Sequence, residues 1–220
     1  MADFRLRVRF SKSGRLGMLS HLEVTHALER AVRRADLPYA VTQGFSPHMK
    51  IAFGAALPVG IESTCEIFDV SLSDYVPAES VLERLQAVSA ADLMPSAARY
   101  LQAGEAAASV AYPVSRYEAH LNIAAEKLRV PESIVVLRKK KEKILYPADF
   151  IRFMQFGSRD DKEDTNLLSF ELEAKPTGSL RPDVLLSAML RESSCDQSRI
   201  RSVVRVEQRS SDDSLSVYDF

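Results

Sequence analysis

Apolar and basic residues alternate from Phe4 to Phe10, with Phe, Leu, Val and Phe on one side and Arg5, Arg7 and Arg9 on the other. That period of two predicts a strand with one apolar and one strongly basic face. The loop SKSGRLG follows, and the period then changes. Leu22, Ala27, Leu28, Ala31 and Val32 recur at helical spacing up to about Ala35. Ser20 is placed to cap this helix, and Glu23, three residues on, completes a capping box. Pro38 stops the helix, Tyr39 to Thr42 reads as the start of a second strand, and the turn in QGFSPHMKIAF leads into further extended chain. Glu66 to Ser71 alternates again, Pro77 opens a helix through Val88, and Leu93 to Leu101 reads as a last strand. The order is strand, helix, strand, strand, helix, strand. It predicts the split βαββαβ arrangement of a ferredoxin-like domain, an antiparallel sheet with helices on one face.

The small, polar segment AGEAAAS, Ala103 to Ser109, reads as a linker, and the pattern beyond it partly repeats. Tyr117 to Ile123 is expected as a strand, Ala124 to Arg129 as a short helix, and Ile134 to Ile144 as a strand and turn with extended chain through Phe156. SRDDKEDT reads as an acidic loop, Leu167 to Ala174 as a strand, Arg181 onward as a helix to about Arg191, and Ile200 to Gln208 as a closing strand. The expected architecture is α+β, with two ferredoxin-like halves at 1–103 and 110–220, the second irregular and carrying extra strand in its middle.

Charge changes this picture in one half only. The chain has a net charge of -1, yet residues 1–60 hold nine Lys or Arg against four acids, +5, leaving -6 for the rest. A basic first part on a neutral chain points to a local surface for an anionic partner, against the plainer reading of solvated helix and strand faces. With 46% hydrophobic and 27% charged residues the chain reads as globular. Cys65 and Cys195 stand far apart, with neither metal-ligand nor redox spacing, so no metal site and no cofactor is expected. Arg5, Arg7 and Arg9 interrupt any signal-like apolar run, and no stretch is long and apolar enough for a membrane span; the expected location is cytoplasmic, with no membrane partner.

Neither a Walker loop nor a GxGxxG turn is present, so the candidate chemistry rests on polar residues of the first half. His21 falls in the first helical turn, where the helix dipole favours a neutral imidazole suited to general base work. His26 reads as an ordinary surface or half-buried histidine. In the turn, Gly44 permits positive φ, and His48 and Lys50 would point the same way from an extended segment. Lys12, Ser20, His21, Gln43, Ser46, His48 and Lys50 are expected to border one surface, if the turn after strand two emerges beside the start of helix one. With Arg30, Arg33 and Arg34 they form the candidate substrate- or phosphate-binding set. The basic run Arg138 to Lys141, followed by Lys143, reads as a solvated hairpin tip.

The motifs FSKSG, LSHLE, ALERAVRRA, QGFSPHMKI and ALPVGIES, in that order over about the first 65 residues, resemble the radical-SAM-linked domain family, a domain of unknown function fused to or encoded beside radical SAM proteins. LRPDVLL fits the same resemblance further along the chain. It implies a radical SAM partner, while the absence of a CxxxCxxC motif leaves the radical chemistry to that partner. Tandem ferredoxin-like modules with a histidine at the first helix also look like the RNA-processing endonucleases of CRISPR systems, though their Gly-rich loop near the C-terminus has no counterpart here. The expected function is an accessory or substrate-binding protein of a radical SAM enzyme, recognising RNA or another phosphate-bearing substrate. The alternatives are a metal-independent RNA-processing enzyme with a histidine base, and a protein-interaction module.

Overall fold

A computed structural model describes residues 4–124, 127–138, 141–160 and 165–219. The chain is mixed α/β, its sheets mostly antiparallel, with four helices among the described residues. It divides into two compact units, residues 1–112 together with 212–220, and residues 113–211.

In the first unit the elements are β1 (Phe4–Lys12), α1 (His21–Arg34), β2 (Ile51–Phe53), β3 (Glu62–Leu72), α2 (Ala78–Val88), β4 (Pro95–Tyr100) and the short α3 (Ala108–Ala111). Its strands lie in the order β4–β1–β3–β2, every neighbouring pair antiparallel. The alternation read from Phe4 to Phe10 is what builds the core. Leu6, Val8 and Phe10 are buried with Val24, Leu28 and Val32 of α1, Val81 and Leu85 of α2, and Phe68 and Val70 of β3. Arg5, Arg7 and Arg9 consequently face the other side of the sheet.

The second strand is Ile51–Phe53, not Tyr39 to Thr42. Residues 39–50 close on themselves first: Lys50 N–H donates to Ala40 O at 2.8 Å and Thr42 N–H to His48 O at 2.8 Å. The base of that hairpin also meets the edge of β3, Ala40 N–H donating to Ser71 O at 2.8 Å and Ser71 N–H to Lys50 O at 2.9 Å, and the regular pairing continues in the next three residues, Ile51 with Val70 and Phe53 with Phe68. The stretch read as a linker is docked as well. Ala108 and Tyr112 are buried in a small cluster with Cys65, Ile67 and Val217.

In the second unit β5 (Val114–Leu121), β8 (Ile151–Asp160), β9 (Thr165–Glu173) and β10 (Ile200–Arg209) form a sheet in the order β10–β5–β9–β8, again antiparallel throughout. Helix α4 (Pro182–Glu192) packs with Leu185, Leu186, Met189 and Leu190 buried. Between β5 and β8 a hairpin, β6 (Ile134–Arg138) with β7 (Lys141–Leu145), occupies the sequence position that α1 has in the first unit. The short helix expected at Ala124 to Arg129 and the loop SRDDKEDT include residues 125–126 and 161–164, outside the described residues. Lys139 and Lys140 of the basic run also lie outside them.

Candidate functional site

The start of α1 is fixed by its own sequence. Ser20 Oγ accepts from Glu23 N–H at 3.4 Å, while the Glu23 carboxylate accepts from Ser20 N–H at 2.8 Å and Ser20 O–H at 2.7 Å. These bonds hold the Glu23 carboxyl below its ordinary range, and they commit Ser20 to the cap. His21, next in the chain, is exposed, and its ring meets Phe53 edge-on at 5.7 Å. Lys12 is 1% exposed, its ammonium donating to Ile61 O at 3.3 Å. Lys12, His21, Phe53, Leu57 and Glu66 line one pocket of about 10 Å³, room for about one water.

Lys12, Ser20 and His21 therefore meet at one end of the first sheet, and Gln43, Ser46, His48 and Lys50 do not join them. The register gives the reason. Lys12 is level with Ser63, whereas Lys50 O accepts from Ser71, the partner of Arg5. Seven residues of β1 separate those levels, roughly 23 Å of extended chain. Because the hairpin comes before β2 rather than after it, it emerges at the far end. The segment that follows β2 is the one that reaches His21: Gly60 N–H donates to Gly17 O at 3.1 Å, and Leu57 lines the one-water pocket. In the hairpin, Gly44 has φ +136°, a value reserved in effect for glycine, and Phe45 at the tip is fully exposed beside exposed Gln43, Ser46 and His48.

The helix arginines form a separate surface. Val24, Leu28, Ala31 and Val32 are buried, leaving His26, Arg30, Arg33 and Arg34 exposed along α1. Their spacing of four, seven and eight residues from His26 places them on one face. Arg33 lies 3.8 Å from Glu29 and over the Tyr39 ring at 5.8 Å, and Arg34 donates to Val88 O at 2.7 Å.

Sequence reasoning missed the partners of the β1 arginines. Arg7, 1% exposed, binds Asp69 in a fork, Nε to Oδ1 at 2.7 Å and Nη2 to Oδ2 at 3.0 Å, and also donates to Ala106 O at 2.7 Å. Asp69 further accepts from Ala108 N–H at 2.7 Å. Glu105 is gripped by both terminal nitrogens of Arg99, and with Gln102 N–H also donating to it, its carboxyl is pulled down to about 2. Arg9 donates to Val217 O at 3.1 Å and stacks over the Tyr218 ring at 4.7 Å. Of the positive charge counted in the first sixty residues, Arg7 is thus matched by Asp69, while Arg9 is held by a carbonyl and a ring. Asp69 pairs with Arg7 across the sheet, a hint that alternation in EIFDVSL carries; Glu105 and the tail have no such local signal.

Among the described residues no group of three or more His, Cys, Asp and Glu is placed to hold a metal ion. Cys65 is buried and Cys195 half-buried, and neither is in a disulfide. In the second unit Lys143 of the basic run donates to Thr177 O at 3.1 Å, and Arg205, buried, donates to the Tyr117 hydroxyl at 3.1 Å. Among the described residues no helix is long and apolar enough to cross a membrane. A comparison with curated proteins finds no match. A family model does match, over residues 5–182, so most of both units falls inside it. The chain belongs to the family described as uncharacterized protein conserved in bacteria (DUF2344).

Proposed function

We propose that this protein is an accessory, substrate-binding partner of a radical SAM enzyme, and that it holds RNA or another phosphate-bearing substrate on its first unit. The observation that carries the reading is the exposed face of α1, where His26, Arg30, Arg33 and Arg34 share one side of a helix whose other side is buried. Guanidinium groups in a row suit a phosphate backbone, to which they donate in pairs. The radical SAM half rests on the motifs FSKSG, LSHLE and QGFSPHMKI and their neighbours. Each unit is read as a ferredoxin-like module, supported by the strand orders β4–β1–β3–β2 and β10–β5–β9–β8, with the β6–β7 hairpin replacing a helix in the second.

Filter binding of transfer RNA at two ionic strengths tests the reading. Affinity should fall steeply with salt, and the triple variant R30Q/R33Q/R34Q should flatten the dependence by about one phosphate contact per arginine that touches RNA. No binding at low salt would remove RNA as the substrate. Co-purification with a radical SAM enzyme in the same experiment would then leave a protein-interaction module. The alternative of a nuclease with His21 as base is favoured by the meeting of His21, Lys12 and Glu66 at one pocket. Against it, a space for one water gives a scissile phosphate no seat. Cleavage of RNA in EDTA, lost in His21→Ala, would reverse that preference.

A further inference from the structure

The second unit carries a hollow that the chemistry above does not use. It has a volume of about 350 Å³, within the size range of ligand sites, and is lined by the β6–β7 hairpin and the start of α4. Val136, Leu137, Leu145 and Val184 give it an apolar wall, and Lys143 and Arg181 bring charge to it. Register accounts for the hairpin's share. Val136 stands directly opposite Lys143, and Ile134 opposite Leu145, so these four share one face of the hairpin, with Ile134 and Leu145 buried at its base. Leu137 is 78% exposed, an apolar side chain left at the rim.

Charge and donors select the ligand. Arg181 is spent on its neighbour, Nε donating to Asp183 Oδ1 at 3.0 Å and Nη2 to Oδ2 at 2.6 Å. Lys143 is not matched in this way. Its ammonium donates to a neutral carbonyl, Thr177 O, at 3.1 Å, and among the described residues no carboxylate partners it. That carbonyl belongs to a turn closed by Lys175 N–H to Gly178 O at 2.8 Å and Gly178 N–H to Lys175 O at 2.9 Å. A Cβ on Gly178 would stand 3.1 Å from Lys143 Nζ, so the glycine leaves the room in which the ammonium sits. Two of the three ammonium protons remain to be donated.

A ligand here needs an apolar body for the wall and one negative charge for Lys143. A phosphate monoester carries close to two charges at pH 7 and would leave one unmatched, and a cation would be repelled. A sugar would set hydroxyls against valine and leucine without partners. A carboxylate brings one charge and two acceptor oxygens for the two remaining protons.

We propose that this hollow binds a small aliphatic carboxylate, its charged end on Lys143 and its hydrocarbon body on Val136, Leu137, Leu145 and Val184. The site belongs to the second unit alone and uses none of the α1 arginines, so it stands or falls apart from the RNA reading.

Calorimetric titration of the full chain with octanoate, 1-octanol and octyl phosphate tests it. Octanoate should bind saturably and about tenfold more tightly than 1-octanol, the increment of one hydrogen bond between charged groups. Lys143→Gln should bring octanoate down to the level of 1-octanol and leave the alcohol unchanged. Leu137→Glu, at an exposed position, should weaken octanoate more than 1-octanol, because it sets a like charge at the rim. That variant keeps the test decisive should Lys143→Gln not fold. The R30Q/R33Q/R34Q variant should bind octanoate as the unaltered protein does. The proposal is overturned if octanoate shows no saturable binding at millimolar concentration, or if its binding is unchanged in Lys143→Gln and Leu137→Glu. It is equally overturned if octyl phosphate binds more tightly than octanoate and loses that lead in Lys143→Gln.

Discussion

Glu105 sits with Arg99 on both its oxygens and Arg7 Nη1 3.8 Å away, a carboxylate surrounded by charge that prefers it ionised. Its folded value of about 2 stands below the ordinary 4.5, so it contributes stability that is complete above about pH 4.5 and lost as pH falls toward 2. Urea unfolding of the protein and of Glu105→Gln should show a gap at pH 5 that closes by pH 2. A gap of constant size would mean the carboxylate is not the group responsible. The neighbouring Arg7–Asp69 pair shows why such residues resist reading one at a time. A row of arginines on a strand looks like a polyanion surface until the acids opposite are known, and two of them lie 62 and 98 positions downstream of Arg7 in the sequence. Arg7 is the buried member of that row, and Arg5 and Arg9 are half-buried.

Helix α1 is the element most fully written in local sequence. Ser20 and Glu23 close its first turn, its buried positions follow the helical period, and Arg33 and Arg34 stand in its last turn, where the dipole favours them. Ser20→Ala should cost about 1 kcal/mol in chemical denaturation, with the circular dichroism of the folded protein unchanged. Loss without that small size, or no loss, would place the anchoring of the helix elsewhere. The hairpin at residues 39–50 was legible only in part. Gly44, Ser46 and Pro47 announce a turn, and the turn is there. Its place in the sheet was not announced, because a three-residue strand such as Ile51–Phe53 has too few positions to show a period.

At the scale of the whole molecule, the last residues belong with the first unit. Val217 is fully buried with Cys65, Ile67, Ala108 and Tyr112, and the Tyr218 hydroxyl lies 2.9 Å from Thr64 Oγ1. Val217→Ala should lower the unfolding free energy by about 1–3 kcal/mol, in line with removal of buried methyl groups. A stop after Ser211 should lower it further and expose the Arg9 face. An unchanged melting temperature in both variants would show that the tail is not part of the fold.

The elements whose cause is local could be read along the chain: the alternating strand β1, the capped and amphipathic α1, the helices α2 and α4, and the order of strands and helices in the first unit. Period, cap and breaker residues act within a few positions, so a linear reading reaches them. The histidine at the helix start, the exposed arginines of α1 and the turn around Gly44 were legible for the same reason. Which end of the sheet each loop reached was set by strand pairing between distant residues. That depended on β2 being three residues and on the hairpin before it docking at the Ser71 level of β3, and it separated His48 and Lys50 from His21. Tertiary structure also decided which charges were spoken for. Asp69 and Glu105 meet Arg7 and Arg99 through strand pairing and a docked segment, and electrostatic matching acts over ångströms in space, whatever the distance along the chain.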